Sequence, residues 1–384
     1  LNLKIPLNQT GCEHKRRHLI IPMKSKVIAD ISEQNQFDEI VDVRTPAEFA
    51  IDHIPGAINL PVLSDEERAI VGTLHLQKSP FEANKVGSAL IARHIADHIE
   101  QHFHPKEKSW KPLIYCWRGG KRSNSLAHVL RQIGWQAQTL DGGYKSYRRY
   151  VLDELQTLPT QFQYQVITGS TGSAKSRILE ELHHQKAQVL DLELLANHKG
   201  SVLGGNIYSS QPSQKLFETN ILKTLQQLNT NQVVFIEAES RKIGSLQVPD
   251  SLLEKIRESP CIRIAASLQA RVVFLLRDYD YMTQNPDILI EKLSHLKEIH
   301  GQNILNNWSN LINLGHWEQL IEELLVKHYD HLYKQSQIKN FSHFENAQTI
   351  QAEDLSHESI VQIAHEINRN YACSLARPST QGLI

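Results

Sequence analysis

The chain has 384 residues, 40% of them hydrophobic and 22% charged, with a formal net charge of -1. This is ordinary globular composition, long enough for two domains with cores of their own, and it excludes a disordered or fibrous protein. With the net charge near zero, a nucleic-acid partner has to be held by a local patch of cations.

No run approaches the roughly 20 apolar residues that a bilayer crossing needs. The patch LIIPM at 19–23 is too short even for the apolar region of a signal peptide. A cytoplasmic protein without a membrane partner is therefore expected. The cysteines, Cys12, Cys116, Cys261 and Cys373, stand singly without a C-x-x-C pair, which indicates neither a disulfide framework nor a zinc ribbon.

In chain order, residues 1–25 read as an N-terminal extension without periodicity, with Met23 as the working start. From Lys26, short apolar runs alternate with helical stretches. EIVDV (39–43), AINLP (57–61) and PLIYC (112–116) read as strands of an α/β fold. Between them, IARHIADHIEQHFHP puts His94, His98 and His102 on one helical face. No carboxylate or cysteine joins them at ligand spacing, so they read as a solvated face and no metal ligand is assigned. SNSLAHVLRQIG (123–134) has helical periodicity, with Ser123 as its cap and Gly134 as its stop. Cys116 thus falls where a strand gives way to a helix, the edge at which open α/β sheets bind ligands.

Residues 152–160 read as a linker, and 161–278 as a second α/β unit. Its strands are expected at YQVITG (164–169), QVLDL (188–192), QVVFIEAE (232–239), CIRIAASL (261–268) and RVVFLL (271–276). Residues 279–384 read as a helical C-terminal part, and the apolar repeats of 315–333 are assigned to packing.

Two segments carry chemistry. In CWRGGKRS, Cys116 stands at the mouth of a turn made by Trp117, Arg118, Gly119, Gly120, Lys121, Arg122 and Ser123. Converging loop amides, the dipole of the following helix and three cations favour thiolate over thiol, which suits transfer of a chalcogen or phosphoryl group. A cysteine kept only for packing needs no such loop.

GSTGSAKS supplies Gly169, Ser170, Thr171, Gly172, Ser173, Ala174, Lys175 and Ser176 between an apolar strand and a helix, the context of a Walker A loop. Lys175 is expected to reach terminal phosphate oxygens, and Ser176 to face the phosphates or a magnesium ion. Ala174 stands where glycine is usual. If that position needs φ > 0, alanine costs about 1 kcal/mol, which favours phosphate binding over ATP hydrolysis. Glu237 is the candidate Walker B carboxylate, with Asp191 and Glu193 as rivals. Each reads equally well as a strand-end carboxylate capping the next turn.

The stretch DVRTPAEFAIDHIPGAINLP (42–61), the strand–Cys–loop–helix and LDGGYKSY (140–147) together resemble the rhodanese family over residues 26–151. The resemblance implies that Cys116 carries sulfur or selenium, that Asp42 and Arg44 form an ion pair, and that Glu48 and His53 support them. Five residues separate Cys116 from Arg122, one more than in the common single-domain rhodanese loop. That is the spacing of cysteine phosphatases and suits a tetrahedral anion such as selenophosphate. A phosphatase reading lacks an identifiable general acid.

A rhodanese-like unit followed by a P-loop unit, with SDEERAIVGT (64–73), DLELLANHKGS (191–201) and EAESRKIG (237–244), resembles the tRNA 2-selenouridine synthase family over about 23–345. That resemblance implies conversion of wobble 2-thiouridine in tRNA to 2-selenouridine, by S-geranylation from geranyl diphosphate and then selenation from selenophosphate. It puts Gly72 near the substrate and has the P-loop cradle the diphosphate; a monomer with no tightly bound cofactor, magnesium admitted, is expected.

For tRNA, Lys106, Lys108, Lys111, Arg118, Lys121, Arg122, Lys145, Arg148 and Arg149 are dense enough to form a phosphate track. Trp117 and Tyr144 are candidates to stack on an unpaired base. Two alternatives stand beside this reading: a sulfurtransferase coupled to a P-loop ATPase or kinase, and a non-catalytic tRNA-binding module.

Overall fold

Two five-stranded parallel sheets, each closed by helices, account for the alternating pattern of the sequence. The computed structural model describes residues 27–372 apart from 202 and 207. The N-terminal extension, with Cys12 and Met23, and the C-terminal Cys373 lie outside the described residues.

The first unit runs β1 (Ile28–Ala29), β2 (Glu39–Asp42), α1 (Pro46–Ile51), β3 (Ile58–Asn59), α2 (Asp65–Gln77), α3 (Pro80–His98), β4 (Pro112–Tyr115), α4 (Lys121–Ile133), β5 (Gln138–Leu140) and α5 (Gly143–Thr157). Its sheet has the order β1-β5-β4-β2-β3. Register pairs Asp42 with Tyr115, so the end of β2 lies beside the residue that precedes Cys116. The apolar residues of β4 are buried on both faces, as a central parallel strand requires.

The second unit runs β6 (Gln163–Thr168), α6 (Lys175–His184), β7 (Gln188–Leu190), α7 (Leu192–Ala196), α8 (Gln214–Gln227), β8 (Val233–Glu237), the hairpin β9 (Lys242–Ile243) and β10 (Leu246–Gln247), α9 (Asp250–Arg257), β11 (Cys261–Ala266) and α10 (Leu268–Asp278). There follow α11 (Asp280–Thr283), α12 (Pro286–Ser294), α13 (Lys297–Asn313), α14 (Trp317–Leu324), α15 (Asp330–Asn340), β12 (Gln348–Ala352) and α16 (His357–Ala372). The sheet order is β12-β11-β6-β8-β7.

Four expectations are corrected here. RVVFLL is helical, within α10, because a run of apolar residues alone does not separate a buried strand from a buried helix. The C-terminal part is not helical throughout: β12 pairs in parallel with β11 and completes the second sheet.

Residues 152–160 are no open linker either. Helix α5 continues to Thr157, a 3-10 turn covers Leu158–Gln161, and Leu155 and Phe162 are buried. Finally, α4 starts at Lys121 with Gly120 as its cap, so Ser123 lies inside the first turn.

Helix α5 joins the two units into one body. It packs against α8 and α9, and Tyr147, Val151 and Leu155 share a single buried cluster with residues of both units, among them Leu113 and Val166. Arg148 pairs with Glu218 of α8, and Ser213, the cap of α8, donates to the Ile51 carbonyl.

Candidate functional site

Cys116 directly follows β4 and is almost fully buried. Its Sγ receives the Gly120 N–H at 3.3 Å and the Ser123 hydroxyl at 3.2 Å. The Ser123 hydroxyl lies equally close, 3.2 Å, to the Gly120 carbonyl, so it links the thiol to the start of α4, which sequence periodicity could not show.

Behind the loop, Tyr144 N–H donates to the Cys116 carbonyl at 2.8 Å and Lys145 N–H to the Trp117 carbonyl at 3.0 Å. Gly143 makes this approach possible. A Cβ there would stand 2.3 Å from the Cys116 carbonyl oxygen and 2.4 Å from the Gly119 nitrogen, at a φ of +60°. The glycine pair of LDGGYKSY is thus a seat for the thiol loop.

The Asp42–Arg44 ion pair forms as the resemblance implies, whereas Glu48 pairs with Arg122 and His53 bonds within its own segment. Arg44 forms a buried ion pair with Asp42 at 2.6 Å, donates to the Asp52 carbonyl, and lies 4.0 Å from the Tyr144 ring centroid. His53 Nδ1 lies 2.9 Å from the Phe49 carbonyl.

The loop cations are more engaged than expected. Arg122 binds Glu48 at 2.6 and 3.2 Å, and Lys121 donates to Asn84 at 2.7 Å. Burial works to raise the Glu48 carboxyl, but the Arg122 guanidinium and the Thr45 amide outweigh it and hold its pKa below the usual value. At the thiol itself the donors are an amide and a hydroxyl, while Arg118 is exposed at the rim.

Other candidates land elsewhere. Gly72 sits midway along α2, where a Cβ would lie 3.1 Å from the Arg68 guanidinium. Tyr144 is buried and donates to Asp52, so it is unavailable for base stacking; Trp117 packs on it and stays 37% exposed. Of the expected phosphate track, Lys106 is held by Glu39 and Arg148 by Glu218. Lys108, Lys145 and Arg149 are exposed, and Lys111 lies over Phe37.

The histidine row is no solvated face. His94 meets Glu67 at 2.7 Å, His98 meets the Pro61 carbonyl at 2.9 Å, and His102 lies 3.5 Å from Glu39.

In the second unit the phosphate loop follows β6. Ala174 has φ +59° and ψ +26° as the cap of α6, so the conditional cost of about 1 kcal/mol applies. Gly172 has φ +82°, in the left-handed region that glycine adopts without steric cost.

Register opposes Ile167 to Glu237, which brings Glu237 alongside the loop. Lys175 Nζ lies 3.6 Å from Glu237, and the Ser176 hydroxyl is 2.8 Å from Glu193 and 3.1 Å from Glu237. Asp191 instead caps α7, accepting from Leu194 N–H at 2.8 Å.

Sequence reasoning missed Glu239, although EAES carried it two residues after Glu237. Glu193, Glu237 and Glu239 bring carboxylate oxygens within 4.8 Å of one another. Burial, with Glu237 and Glu239 nearby, pushes Glu193 up to about 9; burial and Glu237 push Glu239 up to about 8. Beside Ser176, this set of hard oxygen donors fits a magnesium ion.

A cavity of about 1000 Å³ opens over the loop. The three glutamates and Lys175 line one part of it, and Leu195, Phe274, Leu275, Tyr279, Tyr329 and Tyr333 give it apolar and aromatic walls.

A buried thiol in a loop after a parallel strand, followed by a phosphate loop on a second parallel sheet, defines a rhodanese-like domain joined to a P-loop domain. Two family models agree: one described as "Rhodanese-like domain" matches residues 25–150, and one described as "tRNA 2-selenouridine synthase AAA domain" matches 162–294.

Among relatives, a tRNA 2-selenouridine synthase from Alcanivorax borkumensis is 32% identical over 326 residues, covering 77% of this chain and 88% of the relative. One from Nitrosomonas europaea is 38% identical over 250 residues, covering 62% of this chain and 63% of the relative, which is less than two thirds of its length. One from Sulfurovum sp. is 29% identical, covering 82% of this chain and 93% of the relative. The chain belongs to the tRNA 2-selenouridine synthase family.

Proposed function

We propose that this chain converts wobble 2-thiouridine in tRNA to 2-selenouridine in two transfers, with geranyl diphosphate and then selenophosphate as co-substrates. The observation that carries the reading is the pairing of two different loops on units that share a core: a thiol held by the Gly120 amide and the Ser123 hydroxyl, and a phosphate loop under a large, mostly apolar cavity.

In the first transfer the thiouridine sulfur attacks C1 of the geranyl chain and the C–O bond breaks. The diphosphate leaves into the nest of Gly169–Ser176 with Lys175 beside it, a role that needs an anion site and no hydrolysis. Left-handed Ala174 is compatible with this task. The apolar walls suit a ten-carbon isoprenoid, which a nucleotide base would not require. A magnesium ion held by Ser176 and the glutamates would neutralise diphosphate charge.

In the second transfer, selenium from selenophosphate replaces the geranylthio group, which departs as the thiol. The selenium bonds to C2 of the base as the C2–S bond breaks, water then splits the P–Se bond and phosphate leaves, and Cys116 holds the selenophosphate at its loop. A tetrahedral anion at this loop finds the loop amides and the rim Arg118, while Arg122 shapes the loop through Glu48. Exposed Trp117 is the surface for an unpaired base. The cytoplasm supplies tRNA and both small substrates, and the chain acts as a monomer.

Mass spectrometry of tRNA nucleosides tests this, after incubation of thiolated tRNA with geranyl diphosphate, with and without selenophosphate. Cys116→Ala is expected to abolish selenium incorporation and leave S-geranyl-2-thiouridine accumulating. Lys175→Ala is expected to impair geranylation first. If Lys175→Ala leaves both steps intact, the diphosphate assignment is wrong. ATP turnover indifferent to tRNA would point instead to the sulfurtransferase–ATPase.

A further inference from the structure

Helix α15 comes from the C-terminal part, yet two of its residues brace the phosphate loop. Asp330 holds Arg271 with two hydrogen bonds at 2.7 and 2.8 Å, and Arg271 in turn donates to the Thr171 carbonyl at 3.1 Å. One turn on, the Tyr333 hydroxyl accepts the Gly169 N–H at 3.1 Å, and its ring centroid lies 5.3 Å from Lys175 Nζ. Tyr333 also lines the cavity above the loop.

A tyrosine hydroxyl both accepts and donates. The Gly169 N–H uses its oxygen, and the Lys175 ammonium beside the ring is a donor only, so neither takes its hydrogen. Burial and the nearby glutamates, against Lys175 and the Gly169 amide, keep the pKa of Tyr333 raised, so that hydrogen stays in place at neutral pH.

We propose that Tyr333 is a ligand-contacting residue of the phosphate loop, donating its hydroxyl hydrogen to an oxyanion of the bound diphosphate. The proposal rests on the reading of Gly169–Ser176 as a phosphate site. It makes α15 a wall of that site: the diphosphate lies between the loop amides and Lys175 below and the phenol above. A hydrogen bond to a charged oxygen is stronger than one between neutral groups, so its loss falls on ligand affinity.

The test is calorimetric titration of the full chain with inorganic pyrophosphate. Tyr333→Phe keeps the ring and its contact with Lys175 and is expected to weaken binding about tenfold or more. Placing 3-fluorotyrosine at position 333 separates the two roles of the hydroxyl, because fluorine makes the O–H a better donor and its oxygen a poorer acceptor. Donation to the ligand predicts tighter pyrophosphate binding for this variant.

If the fluorinated chain binds more weakly, or Tyr333→Phe binds as tightly as the unaltered chain while Lys175→Ala loses binding, Tyr333 only supports Gly169 and the proposal falls alone. If the unaltered chain does not bind pyrophosphate, or Lys175→Ala binds it equally well, the phosphate-site reading falls and takes this proposal with it.

Discussion

Arg122 and Glu48 face each other through two hydrogen bonds, at 2.6 and 3.2 Å, with the arginine side chain 12% and the glutamate 23% exposed. Glu48 also accepts from the Thr45 amide in the capping box of α1, so one carboxylate ties the thiol loop's helix to the start of α1. An arginine engaged in this way shapes the loop.

That pair predicts a pH signature. The folded-state pKa of Glu48 lies below its ordinary 4.5, so the stabilisation is present above about pH 4.5 and is lost as pH falls through the lower folded value. Glu48→Gln should lower stability by about 1 to 2 kcal/mol at pH 7, and the difference should shrink toward zero on acidification. Thermal melts of both chains between pH 3 and about pH 7 read this directly.

Gly143→Ala should disable the thiol site while Gly120→Ala is tolerated. The first substitution puts a methyl group 2.3 Å from the Cys116 carbonyl at a left-handed φ; the second meets nothing within 4 Å. The expected cost at Gly143 is about 2 to 4 kcal/mol, from backbone strain and forced displacement of the loop. Nucleoside analysis should show selenation lost with Gly143→Ala and largely kept with Gly120→Ala.

Local chemistry explains what was legible beforehand. Glycine spacing, a strand before each loop and cations after the thiol are signals within a dozen residues, and they put Cys116 just past β4, Lys175 at the start of α6 and Glu237 at the end of β8. What stayed hidden depends on distant pairing. Tyr333 meets Gly169 across 164 positions, and Arg122 finds Glu48 across 74. The row His94, His98, His102 shows the same limit, since periodicity gives a shared face but not the Glu67, Pro61 and Glu39 atoms that cover it. In RVVFLL the missing information was the second period, because the five residues after Arg271 are all apolar and both helix and strand fit.

The glutamate cluster should make the protein less stable in alkali. Burial and mutual repulsion raise Glu193 to about 9 and Glu239 to about 8, from an ordinary 4.5. Between those values the folded chain holds protons that the unfolded chain has released, so stability falls as pH rises. Glu239→Gln removes one such group. It should leave the melting temperature near pH 4.5 unchanged and raise it at pH 8 by a few degrees, on the order of 1 kcal/mol. Magnesium requires the carboxylates ionised, so its affinity should climb between pH 7 and about pH 9.

The shared core along α5 predicts one unfolding transition for two domains. Val151 is fully buried and Leu155 nearly so, in a cluster that includes Leu113 of the first sheet and Val166 and Val234 of the second. With ordinary domain contacts, calorimetry would resolve two peaks; with a common core it should show one. Val151→Ala removes two methyl groups from that core and should cost about 1 to 3 kcal/mol. The whole transition should move down together, not only the part that carries Cys116. Such rigidity also bears on catalysis: with the two anion sites fixed on one body, the tRNA base must travel between them. Two separate melts for the unaltered chain, only one of them shifted by Val151→Ala, would show that the sites can move independently.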